Sequence, residues 1–154
     1  MTGSEKMPAK KKRFVLDTSA ILALRSDEPG ADRVQTLLAQ ASRNQCQLLA
    51  SFMTRMELLY CIRRGEGDHA AREALRLIDS FAIRWVSCEP AILEAASQIK
   101  TAGRISVADS WIGATAVVHD ATLVHKDPEF RPLGGEVPLF ELPFKAARGR
   151  ARRR

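Results

Sequence analysis

Cysteine is scarce in this chain: Cys46, Cys61 and Cys88 are odd in number and widely spaced, with no C-x-x-C pair. That excludes a disulfide framework and a cysteine-rich metal knuckle, and it points to reduced thiols in the cytoplasm. Histidine is equally rare. His69, His119 and His125 have no metal-ligand spacing with one another, which argues against zinc chemistry. Nothing places two imidazoles together as a paired-histidine ribonuclease requires. No apolar run approaches the ~18 residues of a membrane span. The charged N-terminus lacks the apolar core of a secretory signal. A phosphate-cradling glycine loop and an aromatic RNA-reading signature are missing as well.

What is present is one domain's worth of chain. At 154 residues a domain buries about 68–70% of its unfolded surface, enough for a core without staples. The net charge of +6 is unevenly spread. Residues 1–13 have a net of +4, residues 145–154 carry six basic side chains and no acid, and the body between has thirteen basic and seventeen acidic residues. The organisation expected is a basic N-terminal arm over 1–12, a folded domain over 13–144 and a basic tail over 145–154. Such arms attract nucleic acid through phosphate neutralisation and counterion release. The plainer readings are solubilising ends and, for the first arm, edge protection of the strand that follows.

The apolar run Phe14-Val15-Leu16 reads as a buried strand. Thr18-Ser19 can cap a short helix through Leu24, and Pro29-Gly30 interrupts before Val34, Leu37, Leu38 and Ala41 recur at helical spacing. Gln47 to Ala50 reads as a second strand. Met53, Met56, Leu59 and Tyr60 mark a helix ending near Gly65 or Gly67, and a further amphipathic helix covers 68–79. Ile83 to Val86 alternates like a strand. Pro90 opens a helix with Lys100 in its last turn and Gly103 at a left-handed cap. Ser106 caps a helix to about His119, Ala121 to Val124 is a strand, and Pro138 to Leu142 is a last short one. Alternation with short loops indicates an α/β fold with a largely parallel sheet.

Four acids stand at the ends of hydrophobic segments or inside them: Asp17, Glu57, Asp109 and Asp127. In an open parallel sheet, ligands collect beyond the carboxyl ends of the strands, where Asp17 and Asp127 fall. Each acid has an ordinary explanation. Asp109 sits at the third position of a helix capped by Ser106, where an acid complements the dipole. Asp127 suits a turn, and Asp17 a cap. Glu57, flanked by apolar residues, is expensive to bury alone and has Arg55, Arg63 or Arg64 as candidate partners. Brought together, the four would form a like-charge cluster that hard divalent cations relieve with oxygen ligands. The chemistry that fits is metal-assisted phosphodiester hydrolysis by a metal-activated water, without a protein nucleophile.

Val15-Leu16-Asp17-Thr18-Ser19-Ala20, Thr54-Arg55-Met56-Glu57-Leu58, Ser106 to Ala116 around Asp109, and Leu123 to Phe130 around Asp127 together resemble the PIN-domain family, in particular VapC-type toxins of type II toxin–antitoxin systems. The resemblance covers about residues 13–142. It implies a three-layer α/β/α fold with a mainly parallel sheet of four to five strands. It also implies a cytoplasmic endoribonuclease dependent on Mg²⁺, with Mn²⁺ as a substitute, acting on tRNA or rRNA. Asp17, Glu57, Asp109 and Asp127 would be the catalytic and metal-binding quartet, with Thr18 or Ser19 in support. The partners implied are RNA, a VapB-like antitoxin and a second copy in a homodimer or larger assembly. His125 departs from the small hydroxyl residue the family often has there.

Two other functions share this pattern: a housekeeping RNA-processing nuclease, and a non-catalytic RNA-binding module of the same fold. A phosphoacceptor receiver domain also clusters acids at strand ends, but the sequence has no clearly placed strand-end lysine partner for one.

Overall fold

The structure is a computed structural model, and it describes residues 9–144. The expected tail over 145–154 and most of the expected N-terminal arm lie outside the described residues. Five strands form the sheet: β1 (Arg13–Leu16), β2 (Gln47–Ser51), β3 (Ile83–Val86), β4 (Thr122–His125) and β5 (Leu139–Glu141). Six α-helices connect them: α1 (Thr18–Arg25), α2 (Ala31–Ser42), α3 (Phe52–Glu66), α4 (Asp68–Asp79), α5 (Pro90–Ala102) and α6 (Val107–Val118). A 3₁₀ helix, Pro128–Gly135, lies between β4 and β5.

Every strand pairing is parallel, in the order β3-β2-β1-β4-β5. The chain runs outward from β1 through β2 to β3, then crosses back to β4 on the other side of β1. This reversal puts the topological switch point between β1 and β4, where open α/β sheets bind ligands. The order also differs from that of a receiver domain, which is built as 2-1-3-4-5.

Alternation along the strands divides the core. Val15, Leu49 and Leu123 point into one layer with Ile92, Ile99 and Ile112 of α5 and α6. Leu16, Leu48 and Val124 point into the other with Ile21, Val34, Leu58 and Leu75 of α1 to α4. Both faces of the sheet are therefore covered, completing the three-layer arrangement, and the strands read as apolar runs because neither side meets water.

Local details refine the sequence reading. Of the caps the sequence offers for α1, Asp17 is the one used, and Thr18 and Ser19 lie inside the helix. Gly103 closes α5 in an extended conformation (φ −143°), not a left-handed one. β4 is shifted one residue towards its C-terminal end and takes in His125. Positive φ falls instead at Gly30 (φ 98°) and Gly67 (φ 92°), and at Gly30 a Cβ would stand 2.9 Å from Leu142 Cβ. Cys46, Cys61 and Cys88 are all free thiols, as expected. Among the described residues no helix is long and apolar enough to cross a membrane.

Candidate active site

Leu16 of β1 pairs with Val124 of β4, so these central strands end level with each other. Asp17 follows β1, and its amide donates to Val124 O at 3.0 Å. Its side chain caps α1: Oδ2 accepts the Ser19 N–H at 3.0 Å and also the Ser19 hydroxyl. Ser19 Oγ in turn accepts the Lys126 N–H at 2.8 Å. One hydroxyl thereby ties the first acid to the loop that carries Asp127.

Glu57 comes from α3, the helix capped by Ser51. Its Oε1 accepts the Thr18 hydroxyl at 2.7 Å. None of the arginines considered from sequence takes it: Arg55 pairs with Asp79, Arg63 pairs with Asp68, and Arg64 lies over the Tyr60 ring. Asp109 lies in the first turn of α6, where the Ser106 hydroxyl donates to Oδ2 at 2.7 Å and accepts the Asp109 N–H at 3.0 Å. The expected cap is real, but it leaves the carboxyl available. α3 and α6 meet through Phe52 and Trp111, edge to face at 5.2 Å.

Asp127 caps the 3₁₀ helix, with Oδ1 accepting the Glu129 N–H at 2.9 Å. The turn carries Glu129 back towards the site. Asp109, Asp127 and Glu129 each offer an oxygen within 4.8 Å of the others. Glu129 was not a candidate from sequence. Its signal was the tripeptide Asp-Pro-Glu, in which proline at the first helical position favours a tight turn.

The electrostatics show how close these groups are. Asp17 is 3% exposed and Asp109 is 8% exposed. Burial, chiefly, raises the Asp17 carboxyl to about 6, with Glu57 adding repulsion against the lowering effect of the Ser19 bonds. Burial also raises Asp109 to about 7, aided by the charges of Asp17 and Asp127 and by hydrogen-bond contact with Glu129. Asp17 is thus raised in part by the charge of Glu57, and Asp109 in part by the charges of Asp17 and Asp127.

The donor set is entirely carboxylate oxygen, the chemistry that suits a hard divalent cation. Two of these carboxyls are unfavourable to ionise in the cation-free fold, and a bound cation would remove that penalty. The residues fit a metal ion, with Asp109, Asp127 and Glu129 closest in geometry and Asp17 and Glu57 adjoining them electrostatically. The strand-end lysine missing from the sequence reading does exist as Lys126. Its ammonium goes to Glu28 at 2.8 Å and to Pro29 O at 3.1 Å, and the Glu28 carboxylate is not one of the clustered acids. His125 is fully buried against Phe130, and its Nδ1 accepts the Asp127 N–H at 3.3 Å. Burial holds its pKa below the usual imidazole value.

A family model described as PIN domain matches residues 14–136. No curated protein matches the chain in sequence. Among solved structures, VapBC2 from Rickettsia felis, bound to a DNA fragment from its promoter, is similar with a TM-score of 0.71 at 16% identity, over 85% of this chain and 99% of that one. VapBC-1 from nontypeable Haemophilus influenzae gives 0.66 at 20% identity, over 84% and 97%. VapC20 from Mycobacterium tuberculosis, described as a sarcin-ricin loop cleaving toxin, gives 0.60 at 19% identity, over 79% and 95%. At these identities the likeness is one of fold.

Proposed function

Since the chain belongs to the PIN domain family, we propose that it is the toxin of a type II toxin–antitoxin pair, a Mg²⁺-dependent endoribonuclease in which Mn²⁺ can substitute. The observation that carries this reading is the convergence of Asp17, Glu57, Asp109 and Asp127 beyond the carboxyl ends of β1 and β4. Two of the four are raised to about 6 and about 7. Asp109, Asp127 and Glu129 would hold the cation with Asp17 and Glu57 beside them, and that cation would acidify a water and stabilise charge on the leaving oxygen.

The chain's own residues do the positioning. Ser19 holds the Asp17 carboxylate and the Lys126 amide together, and Thr18 fixes Glu57. Ser106 sets Asp109, and the start of the 3₁₀ helix sets Asp127 against Glu129. Water and an RNA phosphodiester would meet at this edge, with the carboxylates orienting the attack.

The partner reading is a VapB-like antitoxin and a second copy of the chain. It is supported by toxin–antitoxin complexes among the fold's relatives and by large apolar side chains left exposed on α3 (Met56, Tyr60), α5 (Leu93) and α6 (Val107). The test is RNA cleavage by purified protein with Mg²⁺ and with chelator. Wild type should cut only with the cation, and Asp17→Asn, correctly folded, should not cut. Cleavage by the variant at the wild-type rate would refute the assignment.

A further inference from the structure

The folded body bears more acids than bases, and its candidate catalytic edge is a nest of carboxylates. A phosphate chain approaching that edge meets repulsion, which a basic surface on the body would offset together with the terminal arms. One surface has the required character. Between α2 and the β1–β4–β5 side of the sheet lies a cavity of about 320 Å³, whose lining includes Lys12, Arg33, Gln40, Gln45, Phe14 and Phe140 and no acid. Arg33 lies over the Phe140 ring at 5.1 Å. Neither Lys12 nor Arg33 has an ion-pair partner among the described residues. The nearby Glu141 is engaged by Arg131.

The groove's two ends relate it to the acidic site. Lys12 immediately precedes β1, five residues before Asp17, which is roughly 16 Å along an extended chain. Arg33 is in the first turn of α2, just after Pro29, whose carbonyl holds Lys126 beside the site. One cation therefore stands at the amino-terminal edge of the sheet, and the other lies within about one helical turn of the segment that touches Lys126. Unpaired cations, side-chain amides and partly exposed aromatic rings in one groove are the elements with which proteins hold single-stranded nucleic acid without reading sequence.

We propose that this groove is a second contact for single-stranded RNA, outside the acidic site and independent of metal. It rests on the ribonuclease reading only for the choice of RNA as the anion. The groove supplies the attraction that the acidic body withholds, and it leads the strand to the edge where the carboxylates stand.

The test uses the full chain carrying Asp17→Asn, so that RNA stays intact, in chelator. Anisotropy of a short labelled single-stranded RNA is followed over a salt series. Each phosphate contact contributes about 0.7 to the slope of log affinity against log salt, so adding Lys12→Ala and Arg33→Ala together should flatten it by roughly 1.4. Arg104→Ala, in the turn between α5 and α6 on the other side of the sheet, removes one cation outside the groove and should leave the slope unchanged, not flattened by even the ~0.7 of a single contact. Phe140→Leu should weaken binding while keeping the slope. A Lys12/Arg33 double variant indistinguishable from Arg104→Ala overturns the proposal, and so does equal competition by an acidic peptide or double-stranded RNA. Wild-type cleavage without groove dependence sinks the groove alone. Groove-dependent binding by a wild type that never cleaves supports the groove and removes the nuclease reading.

Discussion

Replacing Asp17 by asparagine should stabilise the cation-free protein at alkaline pH. Asp17 is raised from 3.8 to about 6, and at 1.36 kcal/mol per pKa unit its ionisation in the fold costs about 3 kcal/mol. Asparagine keeps the shape and an oxygen for the two Ser19 bonds, and it caps helices as well as aspartate does. The lost interaction of a charge with the α1 N-terminus offsets ~0.3–1 kcal/mol, leaving a gain of about 2 kcal/mol. For a domain of this size that is roughly 4–8 °C in Tm. An acid whose pKa is raised by folding contributes stability below its unfolded value and loses it as pH rises through the folded one. The variant's advantage should therefore be near zero at pH 4 and complete at pH 8. Saturating Mg²⁺ should reverse the order, because a ligand at 100 times its Kd stabilises the wild type by about 2.7 kcal/mol and the variant much less. The assay is thermal unfolding at both pH values, in chelator and in Mg²⁺. A variant less stable than wild type in chelator at pH 8, or an advantage unchanged at pH 4, would refute the reasoning.

Glu129→Gln should weaken divalent-cation binding, read by calorimetry on intact protein, by about tenfold or more, since it removes a charged oxygen from the donor set; an unchanged affinity would take Glu129 out of the site. His125→Leu removes the acceptor of the Asp127 N–H and should cost ~1–3 kcal/mol in urea unfolding. His125→Asn, which retains an acceptor at a similar reach, should recover most of that loss, and equal destabilisation by both would mean that only packing against Phe130 matters. Deleting residues 145–154 removes six cations and should flatten the salt dependence of RNA affinity, each lost phosphate contact contributing about 0.7 to the slope; a constant slope would reduce the tail to a solubilising end.

Much of the fold could be read because its signals are local. Apolar runs, proline at the start of α5 and serine before α6 each specify an element without knowledge of the rest. The 3₁₀ helix could not be read this way, because Pro128, Pro132, Gly134 and Gly135 argue for a turn. With it Glu129 was missed, since an exposed glutamate after a proline carries no periodicity. The partners of Glu57 and Lys126 were out of reach for another reason. Thr18 is 39 residues from Glu57 and Glu28 is 98 from Lys126, and three nearby arginines were plausible alternatives for Glu57. Position along the chain singled out Asp17 and Asp127 past strand ends, whereas the Ser19 hydroxyl that ties Asp17 to the Lys126 amide emerges only when β1 and β4 lie side by side.

That pairing also explains how so many carboxyls can be kept close together. Asp17 and Asp127 flank strands hydrogen-bonded in register, and the Ser19 hydroxyl bridges the two chain segments, so their separation is set by the sheet and not by a loop that repulsion could open. Glu57 and Asp109 sit on helices anchored through Leu58 and Ile112, both fully buried. The core thus bears the electrostatic penalty, and a cation would find its oxygens already in place. Glu129 alone is exposed, on a turn, and is the member free to adjust as a cation enters. Neutralising any one of the buried acids should therefore relieve charge without displacing the others, whereas breaking the Ser19 bridge should move Asp17 and Asp127 together.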